Sequence, residues 1–233
     1  MSDAEQTTTM PALAADTPGN FRLVLTMGTI GLIAGIMIVL VYQLTFPTIE
    51  RNKAIALERA IFEVVPGART KAAFKLEGDA LRPLPEGEDA IVKYYACYDD
   101  AGALVGVALE ASGQGFQDVL RVLYGYAPAC RCIVGMKVLE SKETPGLGDK
   151  IEKDPDFRAN FDALDVQLSE DATTMRNPIA LAKQGEKSEA WQVEAITGAT
   201  ISSRAIANIL RESSIIAVPI ITRNMSVLEE GAK

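Results

Sequence analysis

From Leu23 to Ile49 the chain carries no charged side chain, and Leu23 to Phe46 reads LVLTMGTIGLIAGIMIVLVYQLTF. Those 24 residues, at a rise of about 1.5 Å each, extend about 36 Å and can cross a hydrocarbon core of about 30 Å. The run predicts a transmembrane helix over 23–46. A cleaved signal peptide would have a shorter apolar stretch ending in an A-x-A-like site, whereas this one passes into Tyr42, Gln43 and Pro47. Beyond it, Ala54, Leu57, Ile61 and Val65 recur three or four residues apart among Arg51, Lys53, Glu58 and Arg59. That spacing predicts an amphipathic juxtamembrane helix over 47–66, stopped by Pro66-Gly67.

The pattern then changes to short apolar runs. Ile91–Tyr98 and Ala103–Glu110 are apolar, β-branched or aromatic runs flanking Asp99-Asp100-Ala101-Gly102, the pattern of a hairpin. A Gly-rich stretch, Ser112 to Phe116, leads to a strand near Arg121–Tyr124, and Cys132–Glu140 reads as another. Strands this close together, without helices between them, predict an antiparallel sheet. Asp154-Pro155-Asp156 has the N-cap and first-turn proline of a helix start. Residues 170–187 read as polar loop, Ser188–Ala195 as a strand, and Ile201, Ala205, Ile206, Ile209 and Leu210 as the buried face of a helix starting near Ser202. The run Ile215–Ile221 contains Pro219, is too short to span a bilayer, and reads as core or interface. The expected fold class is α+β: a disordered N-terminal tail over 1–22, the transmembrane helix, and one extramembrane α+β domain over 67–233 with a mainly antiparallel sheet.

Composition narrows the chemistry. Among 233 residues, 31 acidic against 23 basic side chains leave a net charge of -8, which argues against nucleic-acid binding. Histidine is absent, which excludes a Ser-His-Asp or Cys-His triad and a His-ligated zinc or haem within the chain. Three cysteines, Cys97, Cys130 and Cys132, are too few for an iron–sulfur cluster or a structural zinc site but allow one disulfide. No metal site is expected. The positive-inside count, Arg22 before the span against Arg51, Lys53 and Arg59 after it, would leave the domain in the cytoplasm. That rule loses force for a large domain behind a single span.

Two loops could carry chemistry. In Glu143-Thr144-Pro145-Gly146-Leu147-Gly148 the glycines allow a flat ligand close to the backbone; the plain alternative is a turn. In Glu194-Ala195-Ile196-Thr197-Gly198-Ala199-Thr200-Ile201-Ser202-Ser203, hydroxyls surround a helix start whose first amides could take a phosphate. The plain alternative is a helix cap at Thr200 or Ser202. With no histidine as base, Thr200 is not expected to act as a nucleophile unaided.

Glu194-x-x-Thr197-Gly198-Ala199-Thr200 resembles the D-x-x-[ST]-G-A-[TS] signature at which a flavin transferase esterifies FMN to the final Thr or Ser. Its place after Glu143 to Gly148, behind one membrane helix, resembles the FMN-binding domain of the G-subunit (RnfG) of the Rnf ion-translocating ferredoxin:NAD oxidoreductase. It is also similar to the homologous C-subunit of the sodium-translocating NADH:quinone reductase. The chain departs from the signature at Glu194, where Asp is usual. The resemblance implies covalent FMN on Thr200, with Glu143, Thr144, Pro145, Gly146, Leu147, Gly148, Thr197, Gly198, Ala199 and Ser202 around the cofactor and Leu147 against the ring. It implies an electron relay with no substrate pocket of its own, partnered by neighbouring membrane and redox subunits, membrane lipid and the transferase. The domain would be periplasmic, on a bacterial inner membrane, with the N-terminus cytoplasmic. The alternatives are the quinone-reductase counterpart and an anchored binding module without flavin.

Overall fold

The computed structural model describes residues 20–85, 87–88 and 90–231. The tail expected over 1–22 lies almost wholly outside them. Two units divide the chain after Asn52. Most of the first is helix α1, Asn20–Val64, which runs through the apolar segment, Pro47 and the amphipathic segment as one element. Its apolar side chains from Phe21 to Ile49 are exposed on the protein, as suits a helix whose solvent is lipid. By length and composition it can span a membrane. The chain is a single-pass membrane protein with a folded domain behind the span.

In the second unit the sheet strands are β1 (Thr70–Glu77), β2 (Ala80–Pro83), β3 (Lys93–Tyr98), β4 (Leu104–Gln114), β5 (Val119–Ala127) and β6 (Cys132–Glu140). Short helices α2 (Lys150–Lys153) and α3 (Pro155–Ala159) precede β7 (Leu164–Asp165), and the seven strands lie in the order β2-β1-β3-β4-β5-β6-β7. Every neighbouring pair is antiparallel. The predicted hairpin is β3–β4, whose turn is held by the Asp99 carboxylate accepting from the amides of Ala101 at 2.9 Å and Ala103 at 2.8 Å. The helix start at Asp154 is also present, its carboxylate accepting from the amides of Asp156 and Phe157.

A two-stranded parallel pair, β8 (Ala180–Ala182) and β9 (Gln192–Glu194), precedes α4 (Thr200–Arg223) and α5 (Met225–Glu230). Two expectations change here. The segment 170–187 contains β8. The strand expected over Ser188–Ala195 shortens to Gln192–Glu194. The run Ile215–Ile221, expected as core or interface, continues α4 through Pro219 and supplies core residues. Proline removes one helix hydrogen bond, but Ala217, Val218, Ile220 and Ile221 are buried around it and offset that loss. α4 is also long and apolar enough to span a membrane, yet most of it is covered by the domain, so it is a core helix.

Period-two alternation assigns the sheet its two faces. Leu120, Val122, Tyr124 and Tyr126 of β5 join the core that includes the buried residues of α4, while Leu123 joins the smaller cluster with Ala60, Ile61, Val64 and Val65. Tyr94 and Tyr98 lie in the first cluster and Tyr95 in the second, so the tyrosines of β3 are packing residues. Burying each of Ile61, Val64 and Val65 contributes about 1.5–3 kcal/mol. The end of α1 sits directly on strand backbone: β-carbons at Gly125 and Gly135 would run into the Val64 carbonyl oxygen, and one at Gly106 would lie 2.9 Å from Val65.

Candidate functional site: the loops around the start of α4

Both candidate loops converge on one buried carboxylate. Oε1 of Glu143 accepts hydrogen bonds from the amides of Phe116, at 2.7 Å, and Gln117, at 3.3 Å; Oε2 accepts from the Ser202 hydroxyl at 2.6 Å. Three segments are thereby fastened together: the β4–β5 turn, the loop after β6, and the first turn of α4. Gly115 and Gly148 are the residues this needs, because a β-carbon at either would overlap a Glu143 carboxylate oxygen.

The loop 143–148 is built as a turn. The Thr144 carbonyl accepts from the Leu147 amide at 3.1 Å, Pro145 sits at the second position, and Gly146 at the third has φ +79°. The Gly146 amide is bonded to Asp149 Oδ1 at 2.7 Å, and Lys153 pairs with the other carboxylate oxygen. This geometry carries Leu147 outward, 52% exposed, while Gly148 goes inward against Glu143 and Ser202.

At the second loop, α4 begins at Thr200, two residues before the expected start, with Ala199 as N-cap and no side-chain cap. Ser202 is committed to Glu143. Ser203 accepts from the Ile196 amide at 3.1 Å and donates to the Ala199 carbonyl at 3.0 Å. The Ser203 amide bonds the Ala199 carbonyl at 2.9 Å, so the amides of the preceding turn lie ahead of the helix ladder. Thr200 is exposed, and among the described residues its Oγ1 meets only the Ile196 carbonyl, at a long 3.5 Å. An uncapped helix start beside an exposed hydroxyl matches the demands of a phosphate monoester. Gly198 turns the chain at φ +85°, Ala199 is buried, and the Thr197 hydroxyl bonds Gln184. Glu194, where the signature has Asp, accepts from the Gly185 amide at 2.6 Å and so braces the loop after β8.

Ile201, expected on the core face of the helix, is 56% exposed. The helix starts earlier than expected, and the face turned inward at this point belongs to Ser202 and Ser203. Phe116, not singled out from sequence, is 59% exposed on the turn that Glu143 holds. Phe116, Leu147 and Ile201 thus project from the three segments that Glu143 and Ser202 join. Exposed apolar side chains on segments tied to a helix start offer an aromatic ring two kinds of surface at once: walls to stack on and amides for an attached anion. The Gly-rich stretch before Phe116 was the available signal. Its glycines answer to residues distant in sequence: a β-carbon at Gly113 would meet Ile209 and one at Gly115 would meet Glu143.

Residues 115–213 match the family described as FMN-binding domain. Among relatives named as the G-subunit of the ion-translocating oxidoreductase complex, that of Methanosarcina acetivorans is 28% identical over 82% of this chain and 91% of its own. The one from Pectobacterium atrosepticum is 30% identical over 75% and 79%, and the one from Escherichia coli K12 30% over 82% and 84%. The fold is shared with the crystal structure of Shewanella oneidensis NqrC: TM-score 0.59, 18% identity, 78% of this chain and 98% of that one. It is shared too with the C-subunit of the Na(+)-translocating NADH-quinone reductase from Parabacteroides distasonis, with TM-score 0.57, 16% identity, and coverage of 75% and 96%. On these matches, which run through both loops and the strands that carry them, the chain belongs to the G-subunit family of ion-translocating oxidoreductase complexes and contains an FMN-binding domain.

Proposed function

We propose that Thr200 carries FMN through a phosphoester and that the domain relays electrons between other redox subunits of an ion-translocating oxidoreductase complex. The observation that carries this reading is the exposed Thr200 at the uncapped start of α4, a helix turn that Glu143 ties to the segments bearing the exposed Leu147 and Phe116. Bound FMN supplies one- and two-electron redox chemistry. The protein supplies attachment and position. Thr200 Oγ1 holds the phosphate, the first amides and dipole of α4 offset its remaining charge, and Leu147, Phe116 and Ile201 cover ring surface. Glu143 and Ser202 hold the segments in register from beneath, and Thr144, Pro145, Gly146, Gly148, Thr197, Gly198 and Ala199 shape the two backbones.

Attachment requires an enzyme. Oγ1 must lose its proton and bond the flavin-side phosphorus of a flavin dinucleotide while the P–O–P link breaks and the nucleoside monophosphate leaves, and among the described residues Thr200 has no basic side chain bonded to it. A flavin transferase is the corresponding partner, and the exposed loop gives it access. The relatives' shared name supports association with further subunits of a membrane complex. The Cys130–Cys132 disulfide supports a periplasmic domain with the N-terminus in the cytoplasm, since such bridges persist in oxidising compartments.

The test is intact mass and in-gel flavin fluorescence of the matured full chain after denaturation. Wild type should exceed its polypeptide mass by one FMN phosphoester and fluoresce. Thr200→Ala should lose both signals and keep its circular dichroism. Flavin retained by Thr200→Ala through denaturation would exclude attachment at this residue.

A further inference from the structure

No motif in the chain points to a second pocket, yet a cavity of about 740 Å3 opens at the other end of α4, lined by Tyr126, Arg131, Leu168, Arg176, Thr222 and Met225 among others. Thr222 is 22 residues along the helix from Thr200, about 33 Å at the helical rise, so this cavity is separate from the flavin site. Its volume falls within the range of small-molecule sites.

Three features distinguish it. Arg131 and Arg176 both line it, and among the described residues neither forms an ion pair with a carboxylate. Glu170 also lines the cavity, leaving the two guanidinium groups in excess, while Asp171 is occupied by Ser169 and Thr173. Next, the two non-glycine residues with positive φ among the described residues, Arg131 at 56° and Ala172 at 52°, both belong to this lining. Such a backbone costs about 1 kcal/mol or more per residue and persists where the surroundings enforce it. Arg131 is enforced covalently, because the Cys130–Cys132 bridge closes around it. Finally, the buried Tyr126 hydroxyl lies beside Thr222 and within the field of Arg131, and burial raises its pKa, which keeps it a hydrogen-bond donor.

We propose that this cavity binds an organic anion: a phosphate or carboxylate head held by Arg131 and Arg176, on an apolar body resting against Leu168, Met225 and the Tyr126 ring. Guanidinium groups suit such heads because their forked N–H donors match two oxygens at once. A soluble metabolite and a short-chain lipid present the same chemistry, and the probes below separate them.

Full-chain protein in an uncharged maltoside detergent is titrated calorimetrically with inorganic phosphate, hexyl phosphate, dihexanoyl phosphatidate and, as an uncharged control, hexanol. Saturable binding of hexyl phosphate is expected, with none for hexanol. Arg131→Gln and Arg176→Gln should each weaken it at least tenfold, Arg131→Lys should restore part of it, and Thr200→Ala should leave it unchanged. Tighter binding of hexyl phosphate than of dihexanoyl phosphatidate points to a soluble metabolite and the reverse to a lipid head, whereas equal affinity for inorganic phosphate would mean that the apolar body adds nothing and would overturn the organic-anion assignment. Absence of saturable binding by all three anions, or undiminished binding in a folded Arg131→Gln/Arg176→Gln double variant, overturns the proposal. The Thr200→Ala arm keeps its failure distinct from failure of the flavin assignment.

Discussion

The Glu143 carboxylate and the Ser202 hydroxyl, 59 residues apart in sequence, share a buried hydrogen bond of 2.6 Å. Through it, one acidic residue in a turn and one hydroxyl in a helix fasten together the loops on which the proposed flavin site depends. Removing the carboxylate strands the part-buried amides of Phe116 and Gln117 and the buried hydroxyl of Ser202. Glu143→Ala is therefore expected to destabilise the domain by about 2–4 kcal/mol, the cost of lost charge-assisted bonds and unpaired donors. Denaturant unfolding monitored at Trp191 measures this. An unchanged midpoint would mean that the segments hold their register without Glu143.

Glycines separate into those that yield space and those that yield conformation. At Gly125 an added β-carbon meets the Val64 carbonyl, which is backbone at the end of α1 and cannot swing aside. At Gly146 nothing lies within 4 Å, and only the φ of +79° opposes a side chain. Gly125→Ala should cost about 1–3 kcal/mol, as overpacking does, and Gly146→Ala about 1 kcal/mol. Thermal melts of the two variants under one buffer test the ranking; a larger loss at Gly146 contradicts it.

Leu147 and Phe116 are large apolar side chains held in the open. Their truncation exposes no new core, so Leu147→Ala and Phe116→Ala should change stability by less than about 0.5 kcal/mol, as exposed positions usually do. In the flavin-loaded protein the same variants should raise flavin fluorescence and alter its absorption fine structure, because ring surface loses cover. A matching drop in melting temperature with unchanged flavin spectra would reassign them to packing.

The cysteines are in two different states. Burial pushes the Cys97 thiol up to about 12, while Cys130 and Cys132 are bridged. At pH 8 the reactive thiolate of Cys97 is then about one part in ten thousand, rising tenfold per pH unit in the folded state. Native protein should take up no iodoacetamide at pH 8, denatured protein one equivalent, and denatured, reduced protein three. Closing so short a loop stabilises by only about 1–2 kcal/mol in chain-entropy terms, so reduction should leave the domain folded while freeing Arg131 from its left-handed backbone. Mass spectrometry after each treatment counts the labels, and two equivalents without reductant would be incompatible with the bridge.

Much of this protein was legible locally. An uncharged run of the length of a bilayer, an Asp-Pro helix start, an Asp-rich hairpin turn and the strand-like run Cys132–Glu140 are each local signals, and the structure contains all four. The two loop motifs, too, could be read as short patterns. What the chain order concealed was everything requiring distant residues to meet. The carboxylate of Glu143 faces inward because the amides of Phe116 and Gln117 and the hydroxyl of Ser202 await it there. Ile201 faces outward because α4 starts at Thr200 and turns two serines to the interior. Pro219 remains helical because the surrounding side chains are buried against the sheet. Arg131 and Arg176 become neighbours of one cavity only when the β5–β6 turn and the segment after β7 close over the end of α4. Local patterns set the elements because helix and strand periods are properties of short stretches of chain. The sites depend on tertiary structure because burial, charge pairing and steric exclusion act between residues that only the completed fold brings within a few ångströms.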